Sequence, residues 1–160
     1  MSTRFTRRGT PLVESQSLAL VQTARNLSDR FVELLASQLA QRGYREATPA
    51  ALNFLGALEC GDNHAAEIAR RIGVSRQFVA REVRRFCALG YLQQRPGHGK
   101  QIIISFTDRG EQLMADARSL LAQIDDLIAT GTSTSCVQDC VDLMQQIDTA
   151  LRQSSWETGK

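Results

Sequence analysis

The most constraining feature of the chain is a pair of short amphipathic segments separated by Gly73-Val74-Ser75. Before the break, Ala65, Ile68, Ala69 and Ile72 fall at helical spacing on one face. After it, Ser75 is placed to cap a second helix, whose Val79, Val83 and Phe86 form its own apolar side. Gly73 permits the sharp turn, and Ala69 four residues earlier keeps a small side chain where the two helices cross. Val79 is expected to plug the angle between them. Few folds accept two helices joined so tightly; a helix-turn-helix does.

The next stretch of chain extends this unit. Gly90 stops the second helix. Two runs of strand character, Tyr91 to Arg95 and Lys100 to Phe106, flank Pro96-Gly97-His98-Gly99, a turn composition. In the second run Ile102, Ile104 and Phe106 alternate with Gln101, Ile103 and Ser105, so a β-hairpin wing is expected beside the helix-turn-helix.

Upstream, Leu20, Ala24, Leu27, Phe31 and Leu35 trace one stripe of a long helix from Pro11 to about Arg42, closed by Gly43. Thr48-Pro49 restarts the chain in a helix that carries Leu52, Phe54, Leu55 and Leu58 and runs to about Cys60. Either Asp62 or Asn63 can cap the short helix beyond it. Downstream come two helices with heptad-like seams, Leu113, Ala117, Leu120, Ile124 and Leu127, then Val137, Cys140 or Val141, Met144, Ile147 and Leu151. Ser135 with Gln138 fits a capping box for the last of them. The expected fold is mostly α with a small β-hairpin wing. Residues 1–45 form an N-terminal dimerisation helix, 46–107 a winged helix-turn-helix lobe, and 108–160 the C-terminal dimerisation helices.

Charge separates these parts. The net +2 of the 160 residues resolves into +1 over residues 1–62, +6 over 63–101 (8 basic, 2 acidic) and −5 over 102–160. A basic segment coinciding with the winged unit suggests a polyanion partner, double-stranded DNA foremost. Seven of its eight basic groups are Arg, whose planar fork suits guanine and phosphate. Arg76, Gln77 and Arg81 fall on the leading face of the helix capped by Ser75, toward base edges. Arg84 and Arg85 lie a turn further back, toward phosphates. The plainer reading is a solvated charged helix face; the turn, the hairpin and the basic segment together favour DNA.

Other function classes find little support. No run approaches the ~18 apolar residues of a membrane span, and the start Met1 to Arg8 does not lead into a secretory core, so a cytoplasmic protein is expected. His64 and His98 are far apart, no glycine-rich phosphate loop occurs, and no acidic pair is placed for acid–base work, so no enzyme is expected. Cys60, Cys87, Cys136 and Cys140 are irregularly spaced and lack metal-site company; neither disulfide, metal nor cofactor is expected. Cys87 beside Phe86 reads as a packed small hydrophobe rather than a redox switch. Trp156 is read as pinning a dimer, and Arg4, Arg7 and Arg8 as a terminal arm that either touches DNA or has no role.

Residues 68–96, IARRIGVSRQFVAREVRRFCALGYLQQRP, resemble the helix-turn-helix and first wing strand of the MarR-type (multiple antibiotic resistance regulator) family of bacterial and archaeal transcription regulators. Residues 103–114, IISFTDRGEQLM, resemble its second wing strand and the helix start after it, with Phe106-Thr107-Asp108-Arg109-Gly110 matching a Leu-Thr-x-x-Gly signature. The order of elements matches over nearly the whole chain. The resemblance implies a homodimer with interleaved terminal helices, two winged units on a pseudo-palindromic operator, repression rather than activation, and often a small-molecule effector that releases DNA. It also marks a departure. The wing of the family usually carries Asp-x-Arg, with the Arg in the minor groove, whereas this chain has His98-Gly99-Lys100, so a phosphate contact from Lys100 or Arg95 is expected instead. The rival reading is a winged-helix protein-interaction module that does not bind specific DNA.

Overall fold

The computed structural model describes residues 7–10, 12, 15–99 and 101–154, without the side chains of Thr134 and Ser135. Lys100, Arg4 and Trp156 therefore lie outside the described residues. The order is α1 (Gln16–Gln41), α2 (Pro49–Leu55), α3 (Ala65–Ile72), α4 (Arg76–Ala88), β1 (Leu92–Pro96), β2 (Ile102–Phe106), α5 (Asp108–Gly131) and α6 (Thr134–Gln153). This is the mostly α fold with a hairpin wing. The chain divides into two compact units, Met1–Ala117 and Arg118–Lys160, with the boundary inside α5.

In the first unit, α1 begins later than the expected Pro11, because the Ser15 hydroxyl accepts the Leu18 N–H at 3.3 Å and starts the helix there. Only the end of its stripe is covered: Leu35, Ala36 and Leu39 are buried, while Leu20 and Leu27 are exposed. Thr48 caps α2 through Ala51 N–H, with Pro49 at the first helical position, as its sequence predicts. That helix stops at Leu55, not near Cys60. Ala57 and Leu58 N–H turn back to the carbonyls three residues earlier, and the Asn63 side chain takes both the N–H and the C=O of Glu59.

Asn63 thus does not cap α3, and neither does Asp62; His64 occupies the cap position. Asn63 is buried and exchanges backbone hydrogen bonds with Ile104 at 2.9 Å each way, adding a one-residue third rung beside the wing. Gly73, in the left-handed region at φ 68°, ends α3, and Ser75 caps α4 through Phe78 N–H at 3.1 Å. Val79 and Val83 are fully buried and Phe86 nearly so. Burial of side chains this size stabilises by about 1.5–3 kcal/mol each.

The wing is an antiparallel pair in register from Leu92↔Phe106 to Pro96↔Ile102. Ile104 and Phe106 are buried, whereas Ile102, on the same face by the two-residue alternation, is exposed at the far end of the strand from Phe106. Both strands start one or two residues later than their composition suggested, at Leu92 and Ile102. Tyr91 N–H returns to Phe86 C=O to finish α4, and Tyr91 C=O accepts from Thr107 N–H at 3.0 Å. The Thr107 hydroxyl donates to Gly90 C=O at 2.6 Å and accepts from Gly110 N–H at 3.1 Å, which starts α5. Tyr91, buried, carries Arg109 over its ring at 4.6 Å and reaches Glu46 with its hydroxyl.

In the second unit, Leu120 and Ile124 of α5 are buried and Leu127 is exposed. The last helix starts at Thr134 with Ser133, not Ser135, at the cap; Ser133 is extended at φ −78°, ψ 145°, and Ser135 already lies inside the helix. Its seam is open to solvent: Val137, Val141, Met144 and Leu151 are exposed and only Ile147 is half-buried.

Candidate nucleic-acid interface

Helix α4 presents two outward rows of side chains spaced four residues apart, Arg76–Ala80–Arg84 and Gln77–Arg81–Arg85, all of them exposed. Ser75 is committed to its cap, so it orients the first turn and leaves Arg76 and Gln77 at the tip. Neither has a protein partner among the described residues. Arg84 is steadied by its Nε donating to Ala80 C=O at 3.1 Å, which leaves its terminal nitrogens outward.

Arg81 and Arg85 are held differently. Both pair with Glu82, Arg81 through Nε at 3.3 Å and Arg85 through Nη1 at 3.1 Å. Arg81 also lies over the Phe78 ring and Arg85 over the Phe86 ring, at 5.0 and 5.2 Å. The i, i+3 spacing of Glu82 and Arg85 was readable; the rings beneath the guanidinium groups were not. Phe54 of α2 stacks on Phe86 at 5.5 Å and meets Phe78 edge-on at 6.5 Å.

At the wing, Arg95 Nη2 lies 2.6 Å from Asp62 Oδ1, so a carboxylate remote in sequence braces this arginine while both side chains stay about half exposed. Arg71 of α3 is drawn onto Glu59 and the Ala57 carbonyl and is spent on tying α3 to the loop before it. Arg70 stays exposed. The structure thus brings Ser75, Arg76, Gln77, Arg81, Arg84 and Arg85 onto one helix, sets Arg95 on β1, and leaves Lys100 outside the described residues.

The remaining candidates gain no chemistry. Cys87 is half-buried and burial pushes its thiol pKa up, away from the thiolate that a redox sensor needs. Cys60, Cys87, Cys136 and Cys140 are not joined in disulfides. Among the described residues no group of three or more His, Cys, Asp or Glu is placed to hold a metal ion. No helix among them is long and apolar enough to cross a membrane.

No protein-family model and no curated protein sequence matches the chain. Its structure does have counterparts. It is similar to wild-type MarR from E. coli in the apo form, with TM-score 0.65 and 15% identity, covering 85% of this chain and 98% of that one. A mutant MarR from E. coli complexed with operator DNA aligns at TM-score 0.63 and 16% identity, over 81% and 91% of the two chains. The transcriptional regulator BldR from Sulfolobus solfataricus aligns at TM-score 0.65 and 14% identity, over 84% and 96%. Sequence identities this low speak for architecture, and with the helix-turn-helix, the wing and the long flanking helices in place, the chain has the MarR-type winged-helix fold.

Proposed function

We propose that the chain is a cytoplasmic, non-enzymatic transcription regulator that binds a pseudo-palindromic operator as a homodimer. The observation that carries the reading is α4: an N-capped helix, crossed by α3, with two exposed rows of arginine and glutamine on the side away from the core. Such a helix fits a major groove about 12 Å wide. Gln77 suits the N6/N7 edge of adenine, and Arg76 and Arg81 suit O6/N7 of guanine. Arg84, Arg85 and Arg95, with Lys100, are assigned to phosphates, which position without reading sequence. The likeness to a MarR complexed with operator DNA supports the DNA-binding reading.

The dimer is supported by the open apolar seam of α6 and the exposed leucines of α1, which soluble monomers rarely leave uncovered in such length. Two copies then place their α4 helices in half-sites about 34 Å apart. Repression results where the operator overlaps a promoter. A small-molecule effector acts by favouring a dimer with a different α4 separation.

The test is enrichment of duplexes from a randomised library, then gel shift across a salt series. A dimer with ~6–10 phosphate contacts loses about 10³–10⁵ in affinity between ~50 and 200 mM salt. Enrichment of a two-fold sequence with that slope is the expected result. No enriched duplex, or salt-independent retention, overturns the reading in favour of a protein-interaction module.

A further inference from the structure

Helix α4 has a third row, Phe78–Glu82–Phe86, lying between the arginine row and the core. Its three members act as one bracket. The Glu82 side chain is only 13% exposed, whereas the Arg81 and Arg85 side chains that it holds are 67% and 44% exposed. Each guanidinium is fixed from two directions, by the carboxylate and by a ring, and both rings rest on Phe54 of α2. A carboxylate on a DNA-facing helix repels phosphate, so its presence calls for a function. The geometry supplies one. Glu82 grips Arg81 by Nε, the atom a fork contact does not need, and leaves the two terminal nitrogens for a bidentate contact.

We infer that Glu82 is a specificity-determining positioning residue: it presents the Arg81 fork to a guanine edge and withholds Arg81 from indiscriminate contact with phosphate. The inference rests on the DNA-binding reading above. Holding a flexible arginine in one geometry before binding removes part of the ordering cost at the specific site. The same hold, with its negative charge, must be overcome when Arg81 swings toward a phosphate at a random site.

The experiment compares the full-length protein with Glu82→Gln on two probes, the duplex enriched from the random library and a scrambled duplex of equal length. Glu82→Gln is expected to lower the ratio of enriched to scrambled affinity about two- to fivefold, the range for one partly exposed ion pair. Glu67→Gln removes a charge from exposed α3 without touching either arginine, and is expected to raise both affinities alike. In an Arg81→Ala background Glu82→Gln should no longer move the ratio. A Glu82→Gln protein that gains equally on both probes, as Glu67→Gln does, overturns the inference and leaves the regulatory reading intact. Failure to enrich any duplex overturns both.

Discussion

Replacing Gly110 by alanine sets local propensity against tertiary packing, and the two forecast opposite signs. Gly110 is the third residue of α5 and its φ is not positive, so alanine meets no backbone strain and by propensity favours the helix by about 0.8–1 kcal/mol. A Cβ at this position, however, would lie 2.1 Å from the Tyr91 carbonyl oxygen and 3.0 Å from both the Tyr91 carbonyl carbon and Phe106 Cδ1. An ordinary C···O contact is about 3.3 Å, so the two backbones must part by ~1 Å. That carbonyl accepts the Thr107 N–H, and its residue is buried at the junction of α4, β1 and α5. Overpacking of this kind costs about 1–3 kcal/mol. Loss of the Thr107 bond adds about 1–3 kcal/mol. Less the propensity gain, the net is about 1–5 kcal/mol of destabilisation. At ~2–4 °C per kcal/mol for a chain of this size, the midpoint should fall by ~6–12 °C for the central value of ~3 kcal/mol. Melts monitored by far-ultraviolet circular dichroism, at one protein concentration because association shifts the midpoint, provide the assay. Gly131→Ala, near the end of the same helix with nothing within 4 Å of the added Cβ, is the control and should be neutral or slightly stabilising. A Gly110→Ala protein that melts at or above the parent temperature refutes the packing argument.

Asn63→Ala removes a buried amide that accepts from Glu59 N–H and donates to the carbonyls of Glu59 and Gly61; the expected cost is about 2–4 kcal/mol, measured by urea denaturation. Both tyrosines are raised above the ordinary value near 10, Tyr44 by its hydrogen bond to Asp116 and Tyr91 by burial. The folded protein therefore holds these protons more tightly than the unfolded chain. Their contribution is complete below pH ~10 and is lost as the pH rises through the folded values. Absorbance at the tyrosinate band should show both titrating late and together with alkaline unfolding, and early titration of Tyr44 in the native protein would count against its bond. Val141→Asp with Met144→Asp, on the open seam of α6, should shift sedimentation toward monomer without loss of helical signal; an unchanged dimer would place the contact elsewhere.

The helix-turn-helix was readable because everything that specifies it lies within about 25 residues of chain. Ala65, Ile68, Ala69 and Ile72 repeat at helical spacing, Gly73 takes the left-handed φ, Ser75 caps α4, and Val79, Val83 and Phe86 fill the inner face. Candidate DNA contacts were readable for the same reason: side-chain type and the 3.6-residue period decide which arginines lie outward. Errors gathered where local signals competed. Asn63 has the composition of a cap, yet its side chain is worth more closing the loop at Glu59 while its backbone pairs with Ile104. Ser15 and Ser133, not Pro11 and Ser135, stand at the starts of α1 and α6.

By itself, then, the sequence determined the element order, the position of the turn and the separation of a basic winged unit from an acidic tail, because periodicity, capping and charge act between near neighbours. Only the tertiary structure decided which charges remain available. Asp62 and Arg95 are 33 residues apart, Tyr91 and Glu46 are 45 apart, and Tyr44 and Asp116 are 72 apart. No local pattern pairs them. Folding brings each pair within hydrogen-bond reach by packing α2, α4, the wing and the start of α5 around one core. Burial of that core also sets Phe78 and Phe86 on Phe54, and so decides that Arg81 and Arg85 stand braced while Arg76 stands free among the described residues.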